Sequence, residues 1–266
     1  IYRLDKRGAI APSYFADMIV IDNLKDINVE KVFFEGELVA EDDKLLIDIQ
    51  KPHIETENKN SINIGELTVE DFKIKAPMEN GTLEIIGMEY INKFSSVTKK
   101  KTFTVNVKDG YVDLNGTELN FAISINRYGK GTKAIAVVEN FSMNRGAIAT
   151  TYSHDSHNLT IIYNKASDAL VAAQRVKEIA GGIVLVENEK VVKEMAFPIG
   201  GMLSKKSAVE LGNDSVELNE VLRDYGIESA SPITRPSTLS LIVIPEVKLS
   251  DIGIIDVVKQ EIIKQF

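Results

Sequence analysis

A chain of 266 residues, 44% of them hydrophobic, carries enough apolar material for one large or two smaller cores. Its 39 acidic against 31 basic residues leave a net charge of −8, a field that opposes phosphate backbones and excludes nucleic acid as an expected partner. With no cysteine, disulfides, thiolate catalysis and cysteine-type zinc sites are excluded, which leaves histidine, carboxylate and hydroxyl groups for any chemistry.

In chain order, Ile1 stands where a start methionine is expected and Ile1–Asp22 already reads as the middle of a structure, so a piece of a longer protein is expected. No basic segment followed by an apolar one and a small-residue cleavage site opens the chain, and no run reaches the roughly 18 apolar residues of a membrane span. No membrane partner and a cytoplasmic location are therefore expected. Short β-branched runs over Asp17–Ile21, Val29–Phe34 and Glu37–Ala40, the last two joined across Glu35-Gly36, predict three strands. The polar stretch Asp48–Asn63, with Pro52 and His53, predicts a linker and a domain boundary, giving domains 1–50 and 51–266.

Beyond it, strands are predicted over Thr82–Tyr90, Thr102–Val107, Asn120–Asn126, Thr132–Glu139 and Leu159–Tyr163. Asn80-Gly81, Asp109-Gly110 and Asn115-Gly116 supply turn residues that tolerate positive φ. Lys99-Lys100-Lys101 is the one conspicuous basic run, and beside a strand it reads as edge protection. A helix is predicted from Ser167 as N-cap through Leu170, Ala173, Val176 and Ala180 to a stop at Gly181-Gly182, and a second over Ala208–Tyr225, with Leu211, Leu218, Leu222 and Tyr225 on one face and Gly226 ending it. Strands Ile183–Val186 and Val191–Phe197 lie between them, Gly200-Gly201 reads as a tight turn into the second helix, and Ile254–Ile263 reads as a terminal helix. Mixed rather than alternating elements imply an α+β fold, mainly antiparallel sheets with packed helices.

The chemistry concentrates in residues 145–158. Two of the three histidines lie there, His154 and His157, with Asp155, Ser156 and Asn158 around them and Arg145 upstream. Imidazole and carboxylate change charge or coordinate metal near neutral pH. Three readings stay open for this stretch: a hydrogen-bonded turn leading into the strand Leu159–Tyr163, contact with or support of a polar substrate oriented by Arg145, or metal ligation through His154, Asp155 and His157. The last needs a further ligand from elsewhere, such as Glu139 or Asp251.

Four ordered blocks resemble the carboxyl-terminal part of the adenine deaminases, in the metal-dependent amidohydrolase superfamily. They are Arg145-Gly146-Ala147-Ile148-Ala149 with His154-Asp155-Ser156-His157-Asn158; Gly181-Gly182; Pro198-Ile199-Gly200-Gly201-Met202-Leu203-Ser204; and Ile244-Pro245-Glu246-Val247-Lys248-Leu249-Ser250-Asp251. Ahead of them, Gly8-Ala9-Ile10-Ala11-Pro12 and Ala16-Asp17-Met18-Ile19-Val20-Ile21-Asp22 are similar to the segment with which amidohydrolases leave their catalytic barrel and complete a small β-sandwich. The resemblance implies an enzyme that hydrolyses adenine to hypoxanthine and ammonia in purine salvage. It implies a divalent metal (Mn, Fe or Zn) held by barrel residues that this sequence does not contain, since no His-x-His pair is present. The piece alone is then expected to be inactive, with Arg145, His154, Asp155, Ser156, His157 and Asn158 as substrate-site candidates and an adenine-like small molecule as the ligand of the whole enzyme. A homodimer is a further expected partner state. Two other readings remain: a non-catalytic binding or oligomerisation module, and a related hydrolase of another aminopurine or cyclic amide.

Overall fold

The computed structural model describes residues 4–49 and 60–266. By its internal contacts the chain divides into two compact units, residues 1–55 and 56–266. The expected boundary and His53 fall outside the described residues.

The first unit is a four-stranded antiparallel sheet in the order β1 (Met18–Ile21), β2 (Val29–Phe34), β3 (Glu37–Glu41) and β4 (Lys44–Leu45). Glu35 and Gly36 (φ 51° and 91°) make the predicted tight turn, and Asp42 and Asp43 (φ 49° and 59°) make a second that leads into the unforeseen β4. Arg7 fastens the preceding segment to this sheet through Asp17 and Glu35, its guanidinium 4.4 Å from the centroid of the Phe15 ring. Met18, Val32, Val39, Leu45 and Ile47 line an open apolar trough of about 570 Å³.

The second unit is built on one nine-stranded sheet. Its strands are β5 (Gly81–Tyr90), β6 (Thr98–Lys108), β7 (Tyr111–Asp113), β8 (Asn120–Ile125), β9 (Lys133–Glu139), β10 (Ala147–Thr150), β11 (Leu159–Tyr163), β12 (Gly182–Glu187) and β13 (Lys190–Ala196). The order is β13-β12-β10-β11-β8-β9-β5-β6-β7, antiparallel throughout except where β5 runs parallel to β9. Helix α1 (Ala166–Glu178) lays Ala169, Ala172, Ala173 and Val176 on one face, against Ala147, Ala149, Ile161 and Val184. Helix α2 (Ala208–Asp224) covers the other with Leu218, Leu222 and the following Tyr225. Because both faces are covered, β10 and β11 are buried at every residue and are apolar apart from Thr150 and Thr160. By contrast β6 alternates over Thr102–Lys108, with Phe103, Val105 and Val107 inside. β7 pairs only with its last three residues, so Lys99 and Lys100 sit exposed on the open stretch and Lys101 reaches Glu89 and Glu139.

The fold is α+β and mainly antiparallel, as the sequence predicts, with three local corrections. The terminal helix expected over Ile254–Ile263 is instead two strands of a three-stranded sheet, β14 (Val247–Ser250), β15 (Gly253–Asp256) and β16 (Glu261–Ile263). The Asp256 carboxylate accepts from the Val258 and Lys259 amides at 3.2 and 3.0 Å, and Gln260 turns at φ 59°, so the chain reverses where a helix would continue. Helix α1 starts two residues earlier than predicted, with Lys165 rather than Ser167 at the cap. The end of the expected linker belongs to the second unit: Ile62 is buried and the Asn63 amide donates to the Arg127 carbonyl at 2.8 Å.

Candidate substrate-site loop

One end of the large sheet gathers the polar residues. Antiparallel registers set Thr150 opposite both Thr160 and Ile183, and Ile125 opposite both Leu159 and Lys133, so β8 and β10 finish where β9, β11 and β12 begin. The β14–β15 turn arrives there as well, through Asp251. Residues 151–158 span this end as a loop.

Its two ends are fixed first. The Thr151 amide donates to the Gly182 carbonyl at 3.0 Å, and its hydroxyl donates to the Gly201 carbonyl at 2.7 Å and accepts from the Gly182 amide at 2.8 Å. Ser153 joins Thr160 (2.8 Å) and Ser240 through buried hydroxyls. At the far end Asn158, only 3% exposed, donates to Asp251 at 3.1 Å, and the same carboxylate accepts from Asn126 at 3.2 Å and from Thr132. Burial alone would raise the Asp251 pKa. Hydrogen bonds from Thr132, Ser250 and Asn126 outweigh it and hold the carboxyl below its ordinary range, so Asp251 is an anionic anchor at neutral pH.

The middle of the loop is held from behind. Arg127, 2% exposed, donates through Nε to the His157 carbonyl, and the Tyr128 hydroxyl donates to the Ser156 carbonyl at 2.7 Å. The His157 amide donates back to the Ser153 carbonyl at 2.7 Å and the residue sits at φ 51°, closing a tight turn. This turn leaves Asp155 and Ser156 exposed and His154 and His157 half-buried. The imidazoles stand 5.5 Å apart, centroid to centroid, with Tyr152 4.9 Å from His154 and Phe197 6.4 Å from Tyr152. Burial, then His154 and Arg127, push the His157 pKa down against a hydrogen bond to the Thr151 backbone and the charge of Asp155, which favours a neutral ring at pH 7. Two buried acceptor-capable atoms here, His157 Nδ1 and Asn158 Oδ1, lack a partner among the described residues.

Five of the six residues singled out in the sequence, His154 to Asn158, thus share one loop. Arg145 does not join them. It lies before β10, at the opposite end of that strand, pairing with Glu187 at 3.2 Å, donating to the Asp224 carbonyl at 3.0 Å and covering the Tyr225 ring at 4.0 Å. Arg127 and Tyr128 were not foreseen as the loop's supports. The only trace was the demand for glycine: a Cβ on Gly201 (φ 74°) would stand 2.7 Å from Arg127 Nη1.

A metal shell does not fit this loop. Among the described residues no group of three or more histidine and carboxylate side chains converges on one point. The two further ligands considered are engaged, Glu139 with Lys101 and Asp251 with Asn126, Thr132 and Asn158.

Comparison with known proteins agrees with the motifs. Residues 95–261, more than half of the chain, match the family model described as the adenine deaminase C-terminal domain. An adenine deaminase of Kosmotoga olearia is 32% identical over 269 aligned residues, covering 100% of this chain and 45% of the relative. One of Clostridium acetobutylicum is 34% identical over 97% of this chain and 45% of its own length. Adenine deaminase 1 of Carboxydothermus hydrogenoformans is 34% identical over 94% of this chain and 42% of its own. The chain therefore spans less than half the length of these relatives. On this family match, it belongs to the adenine deaminase C-terminal domain family.

Proposed function

We propose that this chain is the C-terminal part of a cytoplasmic adenine deaminase of purine salvage, which converts adenine and water to hypoxanthine and ammonia. In this reading its loop 153–158 lies against the substrate. The single observation that carries it is the pair of buried polar atoms on consecutive residues of the loop, His157 Nδ1 and Asn158 Oδ1, that have no partner among the described residues. Leaving such a group unsatisfied costs about 1–3 kcal/mol, so their retention at a locked turn favours a ligand that supplies the missing hydrogen bonds. A purine with its ring and exocyclic N–H donors offers them, and the edges of Tyr152, His154 and His157 suit a flat heterocycle.

The divalent metal of the reaction, manganese, iron or zinc, belongs in this reading to barrel residues outside the chain, with the first unit completing a β-sandwich beside that barrel. The chain's own part is to bind and orient: Asp251 fixes Asn158, Arg127 fixes His157, and the neutral imidazole accepts or relays a proton without adding charge. Arg145 acts at a distance from the loop, on the α2 end of the sheet. The net charge of −8 weighs against nucleic acid. No helix among the described residues is long and apolar enough to cross a membrane, and none is assigned a membrane role.

A second reading, assembly, is favoured by the exposed apolar residues of the first unit, among them Ile19, Phe34 and Ile49. A homodimer of the 266-residue chain would elute at twice the monomer mass in light-scattering chromatography, and a concentration-independent monomer removes that reading. The substrate is tested with an enzyme of the relatives' full length. Ammonia release from adenine should exceed that from other aminopurines and cyclic amides in kcat/KM, and a better substrate among those would replace adenine.

A further inference from the structure

Among the described residues Arg127 is the largest side chain buried to this degree, and the contacts of its guanidinium reach three separate segments. Nε donates to the His157 carbonyl, Nη1 to the Ser61 hydroxyl at 2.8 Å and Nη2 to the Gly200 carbonyl at 2.9 Å. Its carbon lies 4.7 Å from the centroid of the Tyr128 ring, whose hydroxyl takes up the neighbouring Ser156 carbonyl. Among the described residues no carboxylate is its partner. A buried guanidinium without a counter-charge is an expensive way to join three loops, because backbone and hydroxyl acceptors only partly replace its hydration. The expense is local to the loop, and Gly201 is kept bare to admit it.

We propose that Arg127 is the positioning residue of the substrate-site loop, pinning the His157 carbonyl to the Gly200-Gly201 turn and thereby setting where the His157 ring points. Only a planar fork with donors on several sides can meet three acceptors from three segments, a task lysine cannot perform with one ammonium centre. The same placement puts a fixed positive charge beside the imidazole. Burial bears most on the ring's protonation; besides Arg127, the ring faces His154 and Asp155 of its own loop and the Thr151 backbone, so three charges and one hydrogen bond act on it as well. Arg127 and His154 oppose the imidazolium, and Asp155 and Thr151 favour it.

The consequence for catalysis rests on the function proposed above, but the positioning itself does not. With three histidines in the chain, each imidazole can be followed by NMR in the intact 266-residue protein. Arg127→Met should raise the His157 pKa, by removing the cation and loosening the loop, and should speed amide exchange at residues 153–158 about tenfold or more relative to the β10–β11 core. Arg127→Lys keeps the charge without the fork, and should speed exchange while raising the pKa less. Gly201→Ala, which keeps the arginine and displaces it, should loosen the same amides and serves where Arg127→Met does not fold. A folded Arg127→Met or Gly201→Ala protein with wild-type His157 titration and wild-type exchange in the loop overturns the inference. In an enzyme of full relative length, Arg127→Met should also move the acid limb of the adenine pH profile upward with the His157 pKa. If the NMR changes appear and that limb stays fixed, Arg127 positions the loop and the loop is not at the substrate.

Discussion

At the scale of single residues, the polar groups that matter are those buried without their usual company. Lys248 on β14 is fully buried, donates to the Ser96 carbonyl at 2.5 Å, and lies near Arg235, whose guanidinium covers the Tyr90 ring at 3.7 Å. Burial, and then the charge of Arg235, push its pKa from 10.5 down to about 7. Below that value the lysine is charged in both folded and unfolded chains and the full cost of burying it is felt. Between it and the ordinary value only the unfolded chain binds the proton, so stability rises with pH, by at most about 1.4 kcal/mol per pH unit. Denaturant unfolding should show this rise between about pH 7 and pH 10 in the wild type and not in Lys248→Met; equal slopes in the two would mean an ordinary lysine.

The histidine cluster was legible at this scale because two histidines and an aspartate in four residues are conspicuous wherever they fold. Arg127 and Asp251 were not legible in these roles. Arg127 meets its partners across 30, 66 and 73 residues and Asp251 across 93, 119 and 125, so local pattern cannot announce them. Arg145 is the converse case, near the cluster in sequence and carried to the other end of β10 by an extended strand.

Among the elements, α2 shows how completely a local signal can specify a boundary. Ser207 accepts from the Glu210 amide at 3.3 Å while the Glu210 carboxylate accepts from the Ser207 amide at 2.8 Å, and Gly226 (φ 89°) follows the far end. Ser207→Ala should cost about 0.5–2 kcal/mol in global stability, measured by denaturant midpoint, and no change would mean that the cap adds nothing to a helix held by Leu218 and Leu222. The C-terminal residues misled for a physical reason. Ile254, Ile255, Ile262 and Ile263 fit either period over so short a run, and what decides is β15 pairing with β14, with Ile254 opposite Leu249. β10 was likewise hidden, since the four residues Ala147–Thr150 become a strand only because β11 and β12 flank them.

Across the whole molecule, the α+β character followed from the mixture of patterns, whereas the nine-strand order and the parallel β5–β9 pairing depend on contacts between segments far apart in the chain. In the proposed reading this chain carries substrate-site candidates and the reaction centre lies outside it. One sheet end orders a polar loop, while no convergent set of metal ligands occurs among the described residues. The 266-residue chain supplied with Mn²⁺, Fe²⁺ or Zn²⁺ should therefore release no ammonia from adenine, and metal-dependent turnover by it would refute the assignment of the reaction centre to residues outside it.

The most direct test of the central claim, that the loop at this sheet end belongs to the adenine site, is steady-state deamination by His154→Ala and His157→Ala variants of an enzyme of the relatives' full length. Loss of an ordered contact to the reacting ring predicts a fall in kcat/KM of roughly 10–100-fold for at least His157→Ala, with the fold intact. Wild-type kcat/KM in both variants would contradict the account and leave the loop as scaffold.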